Sequence, residues 1–215
     1  MRSKIVCIMM VLTILLSSTL AAQDRPDALQ LYFNGEYERA VEVTLQEIEE
    51  MPRRTDAYAV LGWSLIALGR YEEAKQYAQT ALTFARYDYR IIEILAETHF
   101  YLGENTEALE YFEEYIELST TRDRIGERID RVYYFMGEIF IRIGEYNHAD
   151  IALTTAVYYS PNVALWWSRL GYAREMAEDY NYSIEAYDRA LDLNPDIAEA
   201  RRGKERVEEL MAEAG

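Results

Sequence analysis

Glycines 35, 69 and 103 stand 34 residues apart, each opening a near-copy of one hexapeptide: GEYERA (35–40), GRYEEA (69–74) and GENTEA (103–108). GEYNHA (144–149) follows after 41 residues, and a worn copy, EDYNYS (178–183), after 34 more. Two further ladders keep the same register. Gly62, Ala96, Gly137 and Gly171 lie seven residues before the successive hexapeptides, and Ala81, Tyr115, Ala156 and Ala190 lie beyond their ends. Such a period restricts the chain to an array of small modules, each burying its apolar face against its neighbours.

Each module reads as two helices. In the last, WWSRLGYAREMA (166–177) sets Trp167, Leu170 and Gly171 at i, i+3 and i+4, with the polar Arg174 at i+7. YNYSIEAYDRALDL (180–193) places Ile184, Tyr187, Ala190 and Leu191 on one face of a second helix. Asn194-Pro195 then stops it, because proline lacks a donor and disfavours helical geometry in its predecessor. Ser160-Pro161 and Met51-Pro52 do the same in other modules. The hexapeptide is the corner between the helices: its glycine supplies a left-handed residue. Its alanine falls where the two helices approach closest, and the Gly/Ala ladder upstream is expected to face that same contact from the other helix.

The pattern W-x2-LG, G-x-Y-x2-A, Y-x2-A-L-x3-P at this period resembles the tetratricopeptide repeat family, with Trp167, Leu170, Gly171, Tyr180, Tyr187, Ala190 and Pro195 in place in the last copy. The resemblance implies an all-α fold, a right-handed α-solenoid of helix-turn-helix repeats. Five repeats are predicted over 23–197: a degenerate one at 23–54, then 55–88, 89–122, 130–163 and 164–197. DRIGERI (123–129) is an insertion, read either as a tolerated charged loop or as a projecting element that contacts a partner. Residues 198–215 are predicted to form a capping helix with Val207, Leu210 and Met211 on its apolar stripe.

Arg2 and Lys4, the apolar run IVCIMMVLTILL (5–16) and SSTLAA (17–22) have the layout of a secretory signal peptide over 1–22, cleaved after Ala21 or Ala22. The run is short for a bilayer span, so no membrane span is expected after cleavage. The expected location is outside the cytoplasm, the periplasm in a diderm bacterium. Cys7, the only cysteine, sits inside that run, which argues against a lipid anchor and leaves the mature chain without a thiol or disulfide. A net charge of -16, near -18 without the two leader cations, argues against nucleic acid and anionic membranes as partners.

Nothing points to catalysis or to a cofactor. His99 and His148, the only histidines, belong to different repeats and have no metal-ligand set around them. His99 is expected to be a satisfied, half-buried side chain and His148 a solvated one. The zinc, nucleophile-elbow and dinucleotide motifs are absent, and no carboxylate pair stands out from the acidic background.

The resemblance implies instead a groove lined by the first helices. Carried onto this register, its lining positions are Trp63, Arg90, Glu93, Glu97, Tyr101, Arg131, Tyr134, Glu138, Arg142 and Tyr172, with Ala59, Ala67, Ser168 and Met176 among them and Tyr32 and Phe33 in the first repeat. The Lys/Asn pair with which chaperone-binding members clamp a carboxylate is replaced here by Ala59 and Trp63. The implied function is a non-enzymatic, exported scaffold for a peptide or another envelope protein. An accessory subunit of a periplasmic small-molecule or lipid transport system is the alternative. Nineteen tyrosines, including the pairs 133–134 and 158–159, also allow self-association.

Overall fold

A computed structural model describes residues 26–120 and 128–214. The expected signal peptide lies outside them, as does the 123–129 insertion apart from Arg128 and Ile129. Among the described residues there are eleven helices and no strand: α1 (Ala28–Phe33), α2 (Tyr37–Glu50), α3 (Thr55–Ala67), α4 (Tyr71–Leu82), α5 (Tyr89–Leu102), α6 (Asn105–Thr120), α7 (Ile129–Arg142), α8 (Tyr146–Tyr159), α9 (Ala164–Met176), α10 (Tyr180–Leu193) and α11 (Ala198–Ala214). The chain divides after Arg86 into two compact units, one carrying α1–α4 and the other α5–α11.

The corners show why the hexapeptide recurs. Gly35, Gly69, Gly103 and Gly144 have φ of 79°, 73°, 80° and 81°, and Glu178 adopts the same left-handed conformation at 62°. In every copy the residue after this position donates its N–H five residues back: Glu36 to Leu31, Arg70 to Leu65, Glu104 to His99, Glu145 to Phe140 and Asp179 to Arg174, all at 2.8–2.9 Å. These bonds satisfy a carbonyl that the helix end would otherwise leave open.

Ala40, Ala74, Ala108 and Ala149 are completely buried. In the worn copy Ser183 takes the place of alanine, and its hydroxyl donates to the Gly171 carbonyl across the hairpin at 2.9 Å. The upstream glycines meet a different residue from the one expected. A Cβ on Gly137 would lie 2.5 Å from Leu153, and one on Gly171 would lie 2.6 Å from the Tyr187 ring. Leu153 and Tyr187 follow Ala149 and Ser183 by four residues, so the tightest approach falls one turn beyond the hexapeptide.

The prolines that end the second helices are tied to the helices that follow. Tyr58 Oη donates to the Pro52 carbonyl (3.2 Å), Trp167 Nε1 to Pro161 (2.8 Å) and Arg201 Nη2 to Pro195 (2.6 Å), in each case six residues back. A long side chain on the first turns of a helix therefore anchors the loop that leads into it.

In the N-terminal unit, Leu61 and Leu65 of α3 pack with Val41 and Ala74, while Leu31 of α1 packs with Val60. In the C-terminal unit, Leu153, Trp166 and Leu170 build the core across α8 and α9, and Tyr187, Ala190, Ala200 and Val207 build it across α10 and α11. Each buried valine or leucine among them contributes roughly 1.5–3 kcal/mol, and an alanine methyl about 0.8 kcal/mol. The α11 seam differs from the expected stripe. It runs through Ala200, Gly203 and Val207, all buried, while Leu210 and Met211 are exposed. Small residues are required because Gly203 sits against the Tyr187 ring.

Candidate partner-binding face

In the N-terminal unit, Trp63 is half-buried on α3 with its ring 5.9 Å from Tyr32, which in turn lies 5.6 Å from both Phe33 and Tyr37. The Trp63 indole N–H is buried without a hydrogen-bond partner among the described residues.

In the C-terminal unit the first helices of successive repeats, α5, α7 and α9, are neighbours. Residues 91–100 of α5 are all buried, including two acids read as groove positions, Glu93 and Glu97 (2% and 4% exposed). They face arginines instead of solvent. Arg128 Nε lies 3.0 Å from Glu93 and Arg128 Nη2 lies 3.5 Å from Glu97. Arg131 adds a contact to Glu97 at 3.2 Å. Arg128 is thus what the described end of the insertion contributes. Burial pushes the Glu97 carboxyl up to about 7, against the opposing pull of Arg128. The Tyr115 hydroxyl beside them is raised by burial and next by the charge of Glu93.

The same arrangement steps along the chain. Arg169 of α9 binds Glu138 of α7 at 2.6 and 3.0 Å, and Arg206 of α11 binds Glu175 of α9 with two bonds of 2.8 Å. Both pairs are separated by 31 residues, and Arg131–Glu97 by 34. One repeat, or one repeat less a helical turn, is the offset that brings a residue of one repeat opposite the next. That spacing was legible in the sequence, but Arg128, Arg169 and Arg206 were not singled out by it.

The remaining predicted positions divide into tethered and open ones. Arg90 folds back onto its own helix cap, Asp88 (2.7 Å). Arg142 donates to the Phe100 carbonyl (3.1 Å) and Asn105 Oδ1 (2.8 Å) and lies 4.6 Å from the Phe100 ring centroid. Tyr134 stacks on Trp166 with centroids 5.1 Å apart, and its hydroxyl is pushed up to about 12 by burial and then by Glu138. Tyr172 is half-buried, with the Arg169 guanidinium 5.2 Å from its ring. Tyr101 is 41% exposed and packs its edge against Phe100 and Phe135. The acids of this face are therefore paired in place with arginines, and Tyr101, Tyr134 and Tyr172 keep aromatic surface on it.

At the end of the face, α9, α10 and α11 border a cavity of about 200 Å³ that reaches Ser168, Tyr172 and Arg202. Among the described residues no group of three or more His, Cys, Asp or Glu side chains is placed to hold a metal ion. None of the described helices is long and apolar enough to cross a membrane. His99 is buried with Nδ1 2.5 Å from Glu104 and its ring stacked on Tyr111; His148 is exposed.

Comparison with known proteins places this geometry. The tetratricopeptide repeat profile matches residues 55–88, 89–121 and 130–163. The tetratricopeptide repeat-containing protein trd-1 of Caenorhabditis elegans is 30% identical over 102 residues, 47% of this chain and 12% of trd-1. Anaphase-promoting complex subunit 3 of Schizosaccharomyces pombe is 27% identical over 84 residues, 39% of this chain and 13% of that subunit. The chain thus spans about an eighth of the length of these relatives. Among solved structures, YrrB, described as a TPR protein with an unusual peptide-binding site, superposes with a TM-score of 0.67 at 20% identity, covering 87% of this chain and 97% of YrrB. MamA gives 0.66 at 17% identity, covering 80% and 97% of the two chains. Cut9 in its complex with Hcn1 gives 0.73 at 17% identity, covering 84% of this chain and 34% of the other. These likenesses establish an all-α tetratricopeptide solenoid fold.

Proposed function

Because the chain belongs to the tetratricopeptide-repeat proteins, we propose that it is a non-enzymatic scaffold whose first-helix face takes up a peptide or a segment of another protein. The observation that carries this reading is the state of that face. Glu93 is held by Arg128 of the insertion, and Glu97 and Glu138 by Arg131 and Arg169 of the following repeats, while Tyr101, Tyr134 and Tyr172 keep surface on the face. Rigid rings between neutralised charges give contact area at low entropic cost, as in protein-binding hot spots.

The leader-like start of the sequence supports export, and with it a partner in the cell envelope. The alternative, an accessory subunit for small-molecule or lipid transport, calls for an apolar cavity. The cavity beside α11 is bordered by Arg169, Arg202, Arg206 and Glu199, which suits a polar group better than a lipid chain.

Affinity capture from envelope extract tests the proposal, with Trp63, Tyr101, Tyr134 and Tyr172 each changed to Ala. Recovery of the partner is expected to fall at least tenfold in one or more of the four. Unchanged recovery across all four would discard the face.

A further inference from the structure

The cavity beside α11 contains a set of donors that the fold does not use. Arg169 and Arg206 are occupied, each giving two bonds to one carboxylate, Glu138 and Glu175 respectively. The Tyr187 hydroxyl donates to the same Glu175 at 2.6 Å. Arg202 also borders the cavity, on the exposed side of α11, and makes no ion pair or hydrogen bond among the described residues. Ser168 is the second unused donor. It is only 2% exposed, lines the cavity, and its hydroxyl makes no hydrogen bond among the described residues. This is unusual within the molecule, because buried Thr44, Ser64, Thr98 and Ser183 each donate to a backbone carbonyl. At the wall of the cavity, the Ser168 hydroxyl is free to donate to a ligand that accepts from it.

The chemistry of the occupant follows from this inventory. A guanidinium can only donate, so the group it receives must accept, and a carboxylate matches its fork with two parallel bonds. Glu199, one turn before Arg202, also borders the cavity and is the acid there that no arginine holds. Its presence disfavours a doubly charged group such as phosphate and provides an acceptor for an N–H close to the carboxylate. A peptide carries both, and Ser168 and Tyr172 belong to the first helix, α9, that forms the end of the aromatic face.

We propose that this cavity is a carboxylate site, in which Arg202 and the Ser168 hydroxyl receive a carboxylate borne by the peptide on the first-helix face. The proposal rests on the reading of that face as a peptide-binding surface. Arg202 contributes two N–H bonds to the carboxylate oxygens, Ser168 donates to one of them, Tyr172 forms the wall, and Glu199 accepts a peptide N–H.

Four pools of random octapeptides, each labelled with an uncharged, carboxylate-free BODIPY dye, test this against the mature chain by fluorescence anisotropy. They end in a free carboxylate or a carboxamide, and are made with or without Asp and Glu. A chain with a net charge near -18 should repel carboxylates on long-range grounds, so a preference for them can come only from a local site. The proposal predicts that the carboxylate-free pool binds at least tenfold more weakly than a pool carrying the group. Whichever pool stands out identifies the source, chain terminus or side chain. Arg202→Ala and Ser168→Ala are expected to abolish the preference while leaving the helical circular dichroism unchanged. Equal binding of all four pools, or a preference untouched by Arg202→Ala, overturns the carboxylate site; if that binding is still lost in Tyr134→Ala, the peptide-binding face survives. Binding of no pool counts against both.

Discussion

Arg169 holds Glu138 with two parallel bonds, Nε to Oε1 at 2.6 Å and Nη2 to Oε2 at 3.0 Å, joining the first helices of consecutive repeats. Both side chains are largely shielded, at 24% and 17% exposure, so the pair is protected from solvent screening better than a surface contact. Removing one partner leaves the other charge stranded. Arg169→Ala is expected to cost about 1.5–3 kcal/mol in urea unfolding. In a double-mutant cycle with Glu138→Gln, the second substitution should cost much less once the first is made.

Glu97 gives the molecule an unusual pH dependence. In the unfolded chain it ionises near its ordinary value of 4.5, whereas the folded chain holds the proton to about 7 because burial outweighs the pull of Arg128. Between those values the folded state binds more protons than the unfolded one. This group therefore lowers stability as pH rises from about 4.5 to 7, and its contribution is flat outside that window. Glu97→Gln should remove that slope, at most about 1.4 kcal/mol per pH unit. Unfolding free energies of the two proteins at several pH values from 4 to 8 would show it as a difference that grows toward neutral pH.

The Tyr187 ring is wedged between two glycines, Gly171 of α9 and Gly203 of α11. A methyl group at either position must displace a buried aromatic ring, and overpacking of this kind costs about 1–3 kcal/mol. Both Gly171→Ala and Gly203→Ala are expected to lower the urea midpoint by amounts in that range. Because they press on one ring, their combined effect should depart from the sum of the two.

Glu178 holds a left-handed conformation (φ 62°) where the other four corners have glycine. Glu178→Gly is expected to stabilise the chain by about 1 kcal/mol, since the left-handed region penalises a side chain by about 1–2 kcal/mol and glycine returns part of that in unfolded-state entropy. Calorimetry would register this as a higher Tm.

The corners could be read before any coordinates because their cause is local. Glycine tolerates positive φ, proline ends a helix, and both recur at a period that names the module. The first-helix face was legible only as a row of positions. Glu93 and Glu97 fall on that row, but their burial depends on α5 being enclosed through ten successive residues, which its own periodicity does not reveal. The arginines that hold the acids come from the next repeat, and Arg128 from the insertion, so they are found only by asking which residue lies one repeat onward, or one turn short of it. The stripe of α11 was misjudged for a related reason. Glycine and alanine carry the contact because a large ring already fills the space, so the larger apolar residues Leu210 and Met211 are not the ones that pack.

The most direct test of the scaffold reading is site-specific photocrosslinking in intact cells, with benzoylphenylalanine at position 101 or at position 158. Tyr101 lies on the first helix α5, and Tyr158, 79% exposed, lies on the second helix α8, so both are accessible but on different helices of the repeat. The account predicts a discrete covalent adduct from position 101 and none of the same mass from position 158. Adducts from 158 alone, or from neither position, would contradict it.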